Sequence, residues 1–393
     1  MISGVVGEEH VLSAWRAGVR TLAVAPDAII TSSATEAAAR LGVDIRRGPL
    51  DEPTVPATDG AAVIRRGLYR RSPAWVASEP PRGLEPIRFG RVAIVGAGGV
   101  GTNTAHLAAT ADMADEIVLI DVVPGLAESV ALDLLHASGI TRSTASVTGG
   151  TSLELVAGSD VVVVTAGRPR SPGMSRSDLI DVNGRVVRSV AEQVAAHAPG
   201  AVLVVVTNPL DEMTMAAHAA SGFPRERVLG MAGTLDSARF RHYLATVAGV
   251  DPADVSAFTL GSHGAEMVPV VSTATVSGRR LTSVLDSDAI ARAVADTTEG
   301  GAAVVALRRT GSATIAPAHA ICEVLDGLRG ARAGAIPVSV VLEGEYGIEG
   351  TVVGVPALLG PKGVVEVVEV DLAPTELAAL RTAADAVAAR VNV

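Results

Sequence analysis

The fold is decided by Val92-Ala-Ile-Val-Gly96-Ala-Gly98-Gly99-Val-Gly101. Its four leading apolar residues predict a buried strand, and the pattern G-x-G-x-x-G then leads into a helix. Gly96 permits a tight turn, Gly98 lets the backbone approach a pyrophosphate, and Gly101 lets helix and strand pack closely. The stretch therefore predicts the first strand-turn-helix unit of a dinucleotide-binding domain, in preference to an ordinary glycine-rich turn.

The next predicted strand ends in a carboxylate. Its sequence is Glu116-Ile-Val-Leu-Ile-Asp121. A carboxylate at this point accepts hydrogen bonds from the adenine ribose hydroxyls and repels a 2′-phosphate. We therefore expect NAD as the cofactor, in preference to NADP.

Further apolar runs of strand length indicate a parallel sheet. Residues 161–165 and 201–207 are dominated by Val, Leu and Ala, as in strands that are buried on both faces. Helical stretches alternate with these runs. The expected fold class is α/β, with a Rossmann doubly wound parallel sheet followed by an α+β catalytic domain, plus a small N-terminal extension.

The second half of the chain has a mixed rhythm. Residues 270–281 predict a hairpin that turns near Gly278. The other predicted elements are strands at 338–342, 350–355 and 364–370 and a closing amphipathic helix at 375–391.

The first 88 residues differ from the remainder in charge and composition. Residues 1–90 contain 11 arginines and 10 acidic side chains, which leaves a net charge of −11 for the rest of the chain. Short elements are predicted there: helices at 11–19 and 35–41, a pair of strands within 21–31, and a helix at 61–71 inside a proline-rich stretch. The predicted domains are a small accessory module at 1–50, a linker at 51–88, an NAD-binding domain at 89–236 and a substrate and catalytic domain at 237–393.

Composition excludes several classes of protein. The 393 residues are 48% hydrophobic and 19% charged, which excludes a largely disordered chain. A net charge of −10 argues against nucleic acid as a partner, and no apolar run has the roughly 18 residues that a membrane span needs. The single cysteine, Cys322, excludes an internal disulfide and fits a reducing cytoplasm. Because no His, Cys or carboxylate cluster has metal-ligand spacing, we expect no metal.

Four further segments carry polar side chains suited to chemistry. Residues 165–176 hold three arginines among Gly and Pro, which is typical of a loop that can close over an anion. Asn208 follows the next strand, at the carboxyl edge where ligands bind in such sheets. Asp236 and Arg239 are three residues apart, on one face if helical, and His263 lies between glycines after an apolar run.

Together these segments resemble the lactate/malate dehydrogenase superfamily, and most closely the malate dehydrogenases that are built like lactate dehydrogenase. The similarity extends from about residue 91 to the C-terminus. The motifs that carry it are GAGGVG at 96–101, TAGRPRSPGMSR at 165–176, VTNP at 206–209, LDSARF at 235–240 and GSHG at 261–264.

The resemblance implies a role for each polar residue of these motifs. His263 would take the proton from the substrate 2-hydroxyl as hydride leaves C2 for the nicotinamide, and Asp236 would hold the imidazole. Arg239 would bind the C1 carboxylate and Arg176 would polarise the C2 oxygen. Arg170 occupies the position that would pair with a second carboxylate, so the implied substrate is a small dicarboxylate, malate or oxaloacetate.

The resemblance also implies the remaining site residues. Asn208 would orient the substrate or the nicotinamide, Asn183 would contact one of them, and Ser312 would lie beside the substrate. The implied cofactor-binding residues are Gly96, Gly98, Gly99, Val100, Gly101, Asp121, Thr165, Ala166, Gly167, Asn183 and Asn208. The implied protein is an NAD-dependent malate dehydrogenase that interconverts (S)-malate and oxaloacetate, forming a homodimer or homotetramer in the bacterial cytoplasm.

Two features depart from the family pattern. The family usually follows Gly-x-His-Gly with an aspartate, whereas this chain has Ala265 and then Glu266. The N-terminal extension lies outside the pattern, and residues 31–45 resemble a short module of enzymes associated with bacterial microcompartments. Residues 1–88 would then dock on a scaffold or shell partner, or else form a tail that covers the enzyme.

Two alternatives to malate dehydrogenase stay open from the sequence. One is a dehydrogenase for another 2-hydroxy acid, such as a lactate-like substrate, for which Ala265 is the hint. The other is a catalytically weak NAD-binding scaffold, against which the intact pair of Asp236 and His263 argues.

Overall fold

A computed structural model describes residues 4–16, 21–41, 43–48, 86–168, 175–309 and 311–391. The chain divides into two compact units, Met1–Ile64 and Arg65–Val393. The predicted helix at 61–71 and nearly all of the predicted linker lie outside the described residues.

The first unit is a small α/β module with its own hydrophobic core. Val6, Val11, Val24 and Ala34 are fully buried in that core. The predicted strands within 21–31 are present, but each pairs in parallel with a different partner, β1 with β3 and β2 with β4, and they do not pair with each other. Its elements are β1 (Val5–Val6), α1 (Glu8–Arg16), β2 (Thr21–Val24), β3 (Ile29–Ile30), α2 (Ser32–Leu41) and β4 (Asp44–Arg47).

The second unit begins with six parallel strands. The strands are β5 (Phe89–Val95), β6 (Ala114–Ile120), β7 (Ser146–Gly150), β8 (Val161–Val164), β9 (Val202–Val205) and β10 (Val228–Gly230). The helices among them are α3 (Gly99–Thr110), α4 (Leu126–Thr141), α5 (Arg176–His197) and α6 (Leu210–Ser221). The spatial order is β7-β6-β5-β8-β9-β10. This is the doubly wound order, in which successive strands are added first on one side of β5 and then, from β8 onward, on its other side. Ligands of such sheets bind at that reversal, beyond the carboxyl ends of the strands.

The remainder of this unit mixes helices with antiparallel strands. The strands are β11 (Val255–Ser256), β12 (Thr259–Gly261), β13 (Met267–Pro269), β14 (Thr275–Val276), β15 (Arg279–Arg280), β16 (Ile336–Glu343), β17 (Glu349–Gly360) and β18 (Gly363–Val367). The helices are α7 (Gly233–Ala248), α8 (Ser287–Arg308), α9 (Ile315–Leu328) and α10 (Pro374–Val391). The predicted hairpin is formed by β14 and β15, and its two turn residues, Ser277 and Gly278, both have positive φ, as a tight hairpin turn requires.

One sheet continues through both halves of the second unit. β16 lies antiparallel to β10, with Gly230 opposite Ser339, so that eleven of the described strands belong to a single sheet. Only glycine fits at Gly230, because a Cβ there would lie 2.6 Å from Thr214 Oγ1 and 3.1 Å from Ser339 Cβ. This junction brings the middle of β16 beside the carboxyl end of β10.

None of the described helices combines the length and the apolar character that crossing a membrane demands.

Candidate active site

The glycine-rich turn between β5 and α3 has the geometry of an anion cradle. Gly96 has φ +108°, and a Cβ there would lie 2.6 Å from Thr165 Oγ1. A Cβ on Gly101 would overlap the carbonyl oxygen of Gly96. Gly98 stands at the N-cap position of α3 with no side-chain cap, and among the described residues beyond its chain neighbours and the helix backbone nothing lies within 4 Å of where its Cβ would be. The N-terminus of α3 is thus open to a phosphate group that approaches the backbone closely.

A cleft of about 1350 Å³ opens beside this turn. Asp121 borders it, and its Oδ2 accepts a hydrogen bond of 2.7 Å from the Ala97 N–H, which fixes the carboxylate at one end of the cleft. The other expected cofactor-binding residues that line the cleft are Gly96, Gly98, Thr165, Ala166 and Gly167. A dinucleotide fits this arrangement, because the anion cradle is followed by a carboxylate suited to ribose hydroxyls.

A second cleft, of about 990 Å³, is lined by a different set of residues. Val100 contributes to it from the start of α3. Four residues predicted from the sequence for the substrate or the chemistry line the same cleft, namely Asn208, Arg239, His263 and Ser312. A ligand that spans both clefts would therefore place its two ends beside different sets of residues.

The imidazole of His263 is paired with a buried carboxylate. His263 lies in the loop between β12 and β13, and its Nδ1 is 2.8 Å from Asp236 Oδ2. Asp236 is in the first turn of α7 and is 2% exposed. The contact engages Nδ1, so Nε2 is the ring nitrogen left for a ligand in the cleft.

The same carboxylate binds Arg239 one helical turn later. Arg239 Nη1 donates a hydrogen bond of 3.0 Å to Asp236 Oδ1, and its side chain is 17% exposed. Gly300 and Gly301 of α8 lie against it, since a Cβ on Gly301 would be 3.5 Å from Arg239 Nη1. The guanidinium is thus held between α7 and α8 while it borders the cleft.

The electrostatics around His263 favour a proton on the ring. Burial acts to lower the pKa of the His263 imidazole, but the charge of Asp236 and its hydrogen bond outweigh burial. Asp211 adds a smaller effect in the same direction as Asp236, and Arg239 opposes both. The net result is a pKa raised above the ordinary 6.5.

The remaining expected site residues differ in their placement. The amide of Asn183, 1% exposed, bonds the backbone of Arg168 through both of its ends and donates to the Asn208 carbonyl at 2.6 Å, so it ties two loops together. Ser312 is exposed at the rim of the cleft, where its carbonyl accepts a hydrogen bond from Arg308. Arg170 and the side chain of Arg176 lie outside the described residues, so their predicted roles stay predictions.

Sequence reasoning missed a second carboxylate behind the histidine. Asp211, 1% exposed at the start of α6, accepts the backbone N–H of His263 on Oδ2 and the hydroxyl of Ser339 on Oδ1, both at 2.8 Å. Its place two residues after Pro209 was the available signal. An acid in the first turn of a helix is common, however, and predicts no contact with a distant loop.

The histidine loop is also tied to the last helix. Ser262 Oγ donates to Glu266 Oε2 at 2.9 Å, and Arg390 of α10 donates to Glu266 Oε1 at 3.0 Å. Arg390 reaches the buried Glu212 as well, at 2.6 Å. Glu266 therefore anchors the loop in the segment where Ala265 replaces the usual family aspartate.

In the part of the chain that the structure describes, no three His, Cys, Asp or Glu side chains are grouped so that they could hold a metal ion.

Comparison with known proteins identifies both halves of the second unit. A family model described as "lactate/malate dehydrogenase, NAD binding domain" matches residues 90–230, and one described as "lactate/malate dehydrogenase, alpha/beta C-terminal domain" matches residues 233–392. The matched residues leave the N-terminal extension outside.

Named relatives and solved structures agree with these matches. The malate dehydrogenase of Trichormus variabilis is 47% identical over 300 residues, 76% of this chain and 92% of that protein. The structure of malate dehydrogenase from Salinibacter ruber has a TM-score of 0.73 at 38% identity, covering 77% of this chain and 96% of the other. The lactate dehydrogenase of Cryptosporidium parvum, complexed with lactic acid and nicotinamide adenine dinucleotide, has a TM-score of 0.73 at 34% identity, covering 78% and 98%.

Proposed function

The chain belongs to the lactate/malate dehydrogenase family and is an NAD-dependent oxidoreductase, and from this premise we propose that it interconverts (S)-malate and oxaloacetate. The observation that carries the proposal is that His263 and Arg239 line one cleft beside the glycine-rich turn and that both are bonded to the buried Asp236. The named malate dehydrogenases among its relatives support the choice of substrate.

The proton is proposed to move at Nε2 of His263. NAD, when bound, supplies the acceptor for the hydride that leaves C2 of malate. As that C–H bond breaks, Nε2 takes the proton of the C2 hydroxyl, so that a carbonyl forms and the imidazole becomes an imidazolium. Asp236 keeps the other ring proton on Nδ1 and stabilises the positive ring, 2.8 Å away.

Arginines are proposed to hold the two carboxylates and the C2 oxygen. Arg239 binds the C1 carboxylate, since it borders the cleft and is held by Asp236. Arg176 polarises the C2 oxygen and Arg170 pairs with the second carboxylate, as the motif at 165–176 implies. A substrate without a second carboxylate would leave Arg170 without its partner, so pyruvate is disfavoured.

A substrate and cofactor panel tests this proposal. Initial rates would be measured with oxaloacetate, pyruvate and longer 2-oxo acids, each with NADH and with NADPH. Oxaloacetate with NADH is expected to react fastest, because Asp121 disfavours a 2′-phosphate, and His263→Ala is expected to abolish the activity. A different preferred acid would favour the second candidate, a dehydrogenase for another 2-hydroxy acid, which the likeness to a lactate dehydrogenase complex keeps in view.

Two further proposals concern assembly. We propose a homodimer or homotetramer, supported by exposed apolar side chains on α4, where Leu132 is 55% and Ile140 87% exposed. The mass in solution, measured by light scattering, tests it.

We also propose that residues 1–88 recruit the enzyme to a scaffold or shell, supported by the separate core of the N-terminal module. A truncation lacking residues 1–88 that keeps the location and partners of the full chain would contradict that role.

A further inference from the structure

We propose that Asp211 is a positioning residue for His263. Asp211 fixes the backbone of the histidine and supplies a second negative charge that favours the imidazolium. The inference rests on the proposed function, in which His263 exchanges a proton with the substrate. It goes further, because it assigns the control of that proton to a residue outside the pair of Asp236 and His263.

The geometry connects three distant parts of the chain. Asp211 is the second residue of α6, yet its two oxygens bond the loop after β12 and the middle of β16. A first-turn acid that only capped its own helix would bond neighbouring backbone N–H groups. This one instead accepts the N–H of His263 itself, so the backbone that carries the imidazole is fixed by a rigid helix and strand.

The charge of Asp211 has little else to neutralise it. Within the described ranges, no Arg or Lys side chain forms an ion pair with Asp211. The adjacent Glu212 is paired with Arg390, which also holds Glu266. On the α7 side, Asp236 and Arg239 are bonded to each other. The imidazole of His263 is a nearby group whose positive charge an ionised Asp211 favours.

The charges of Asp211 and His263 influence each other. Burial raises the pKa of Asp211 to about 6, while the His263 N–H and the Ser339 hydroxyl limit the rise. The pKa of His263 is raised above 6.5, and the charge of Asp211 contributes to that rise. Each group's charge thus affects the pKa of the other, so Asp211 and His263 titrate as a coupled pair.

The substitution Asp211→Asn removes the charge and can keep both hydrogen bonds. The amide oxygen accepts from the His263 N–H, and the amide NH₂ donates to the Ser339 hydroxyl. Without the negative charge the imidazolium is less favoured, so the pKa of His263 falls. Malate oxidation needs the neutral imidazole, so its kcat/KM falls on the acid limb of the pH profile. Oxaloacetate reduction needs the charged imidazole, so its kcat/KM falls on the alkaline limb. Both limbs should therefore move to lower pH in the variant.

The test is the pH dependence of kcat/KM for the full-length enzyme in both directions, from about pH 5 to about pH 9. We expect both limbs of Asp211→Asn to move down by about one pH unit. At a pH on the alkaline limb, kcat/KM for oxaloacetate reduction then falls about tenfold, whereas kcat/KM for malate oxidation rises at a pH on the acid limb. Limbs that coincide with those of the wild type would overturn the proposal.

Two serine variants separate charge from packing. Ser262→Ala removes a hydroxyl bonded to Glu266 in the same loop and alters no charge at His263, so its limbs should not move whatever its rate. Ser339→Ala removes a hydrogen bond that keeps Asp211 ionised, so its limbs should move in the same direction by less. Equal shifts in Ser262→Ala and Asp211→Asn would overturn the proposal.

The outcomes also separate this inference from the proposed function. Folding of each variant is judged by NADH binding, followed by fluorescence. If Asp211→Asn does not bind NADH, Ser339→Ala decides, and unmoved limbs in that variant overturn the inference. Activity that survives in His263→Ala would instead contradict the proposed function on which the inference rests.

Discussion

At the residue scale, buried hydrogen bonds hold both the imidazole ring and the backbone of His263. Asp236 holds Nδ1, Asp211 holds the backbone N–H, and Arg239 shares Asp236 from the other side. Every one of these partners is at most 17% exposed on its side chain or residue, so water competes little for the bonds. The pair of His263 and Asp236 therefore has a fixed geometry before any substrate binds.

The first prediction at this scale concerns Asp236→Asn. The variant removes the charge that stabilises the imidazolium, so kcat/KM should fall about a hundredfold or more in both directions. Steady-state rates measure the loss. Asp326→Asn is the matched control, since Asp326 also bonds an arginine three residues later, Arg329, but outside the cleft. A loss shared by both variants would contradict the role of Asp236.

A second prediction concerns the stability of Asp211→Asn. The pKa of Asp211 is about 6 in the folded protein against an ordinary 3.8, so its contribution to stability is present below about pH 4 and is lost as the pH rises through 6. The isosteric amide avoids that loss. Near pH 7.5 the variant should be more stable than the wild type by up to about 3 kcal/mol, from about two pKa units, and near pH 4 the two should be equal. Urea unfolding at both pH values measures this, and a difference independent of pH would speak against it.

The candidate site was predictable from the sequence where a motif marks it. His263, Asp236 and Arg239 are identified by short segments of fixed type and order, and the structure places all three together. Asp211 was not predicted, because its significance lies in contacts with residues 52 and 128 positions away. No local pattern encodes such distances.

At the element scale, α10 contacts the loop that carries His263 and the first turn of α6. Arg390 in its last turn bonds Glu266 of the histidine loop and Glu212 of α6. The side chain of Glu212 is 1% exposed, so water does little to screen its ion pair with Arg390. The C-terminal helix is thus connected to the loop that carries His263, between β12 and β13, through one guanidinium.

The prediction at this scale is that Arg390→Ala is destabilising and lowers kcat. Removing one member of a buried ion pair costs about 3 kcal/mol or more, and the loop loses its anchor on α10. Urea unfolding and steady-state rates measure the two effects. Arg332→Ala is the control, because its pair with Glu323 is 38% and 27% exposed and should matter by about 1 kcal/mol or less. An Arg390→Ala variant as stable as Arg332→Ala would contradict the account.

Elements were predictable where the apolar pattern is local. β5, β6, β8 and β9 carry unbroken apolar runs, and the sequence predicts each of them. β10 has three residues and β7 contains two glycines, so neither presents a run of that kind. The junction of β10 with β16 was also unforeseen, since the pairing of Gly230 with Ser339 joins positions more than 100 residues apart.

At the scale of the whole molecule, the described residues assigned to the site belong to one of the two compact units. Every described residue assigned to the cofactor, the substrate or the chemistry lies in the second unit, within the segment that the family models match. The first unit has its own core of small apolar residues. Catalysis is therefore expected to be independent of the N-terminal module.

The prediction at this scale is that deleting residues 1–88 leaves kcat and KM for oxaloacetate within about twofold of the full-length values, since no described catalytic contact is lost. Parallel steady-state assays of the two proteins check this. The truncated protein should also bind NADH as the full chain does. A loss of activity with NADH binding intact would mean that the module contributes to the site.

The most direct test of the central claim is the ratio of kcat/KM for oxaloacetate to kcat/KM for pyruvate, measured with NADH in the wild type and in Arg170→Gln. The account predicts a wild-type ratio of at least about a hundred in favour of oxaloacetate, and a ratio that collapses in the variant, because a second carboxylate loses its charged partner. A wild-type enzyme that reduces pyruvate at least as well as oxaloacetate would contradict it.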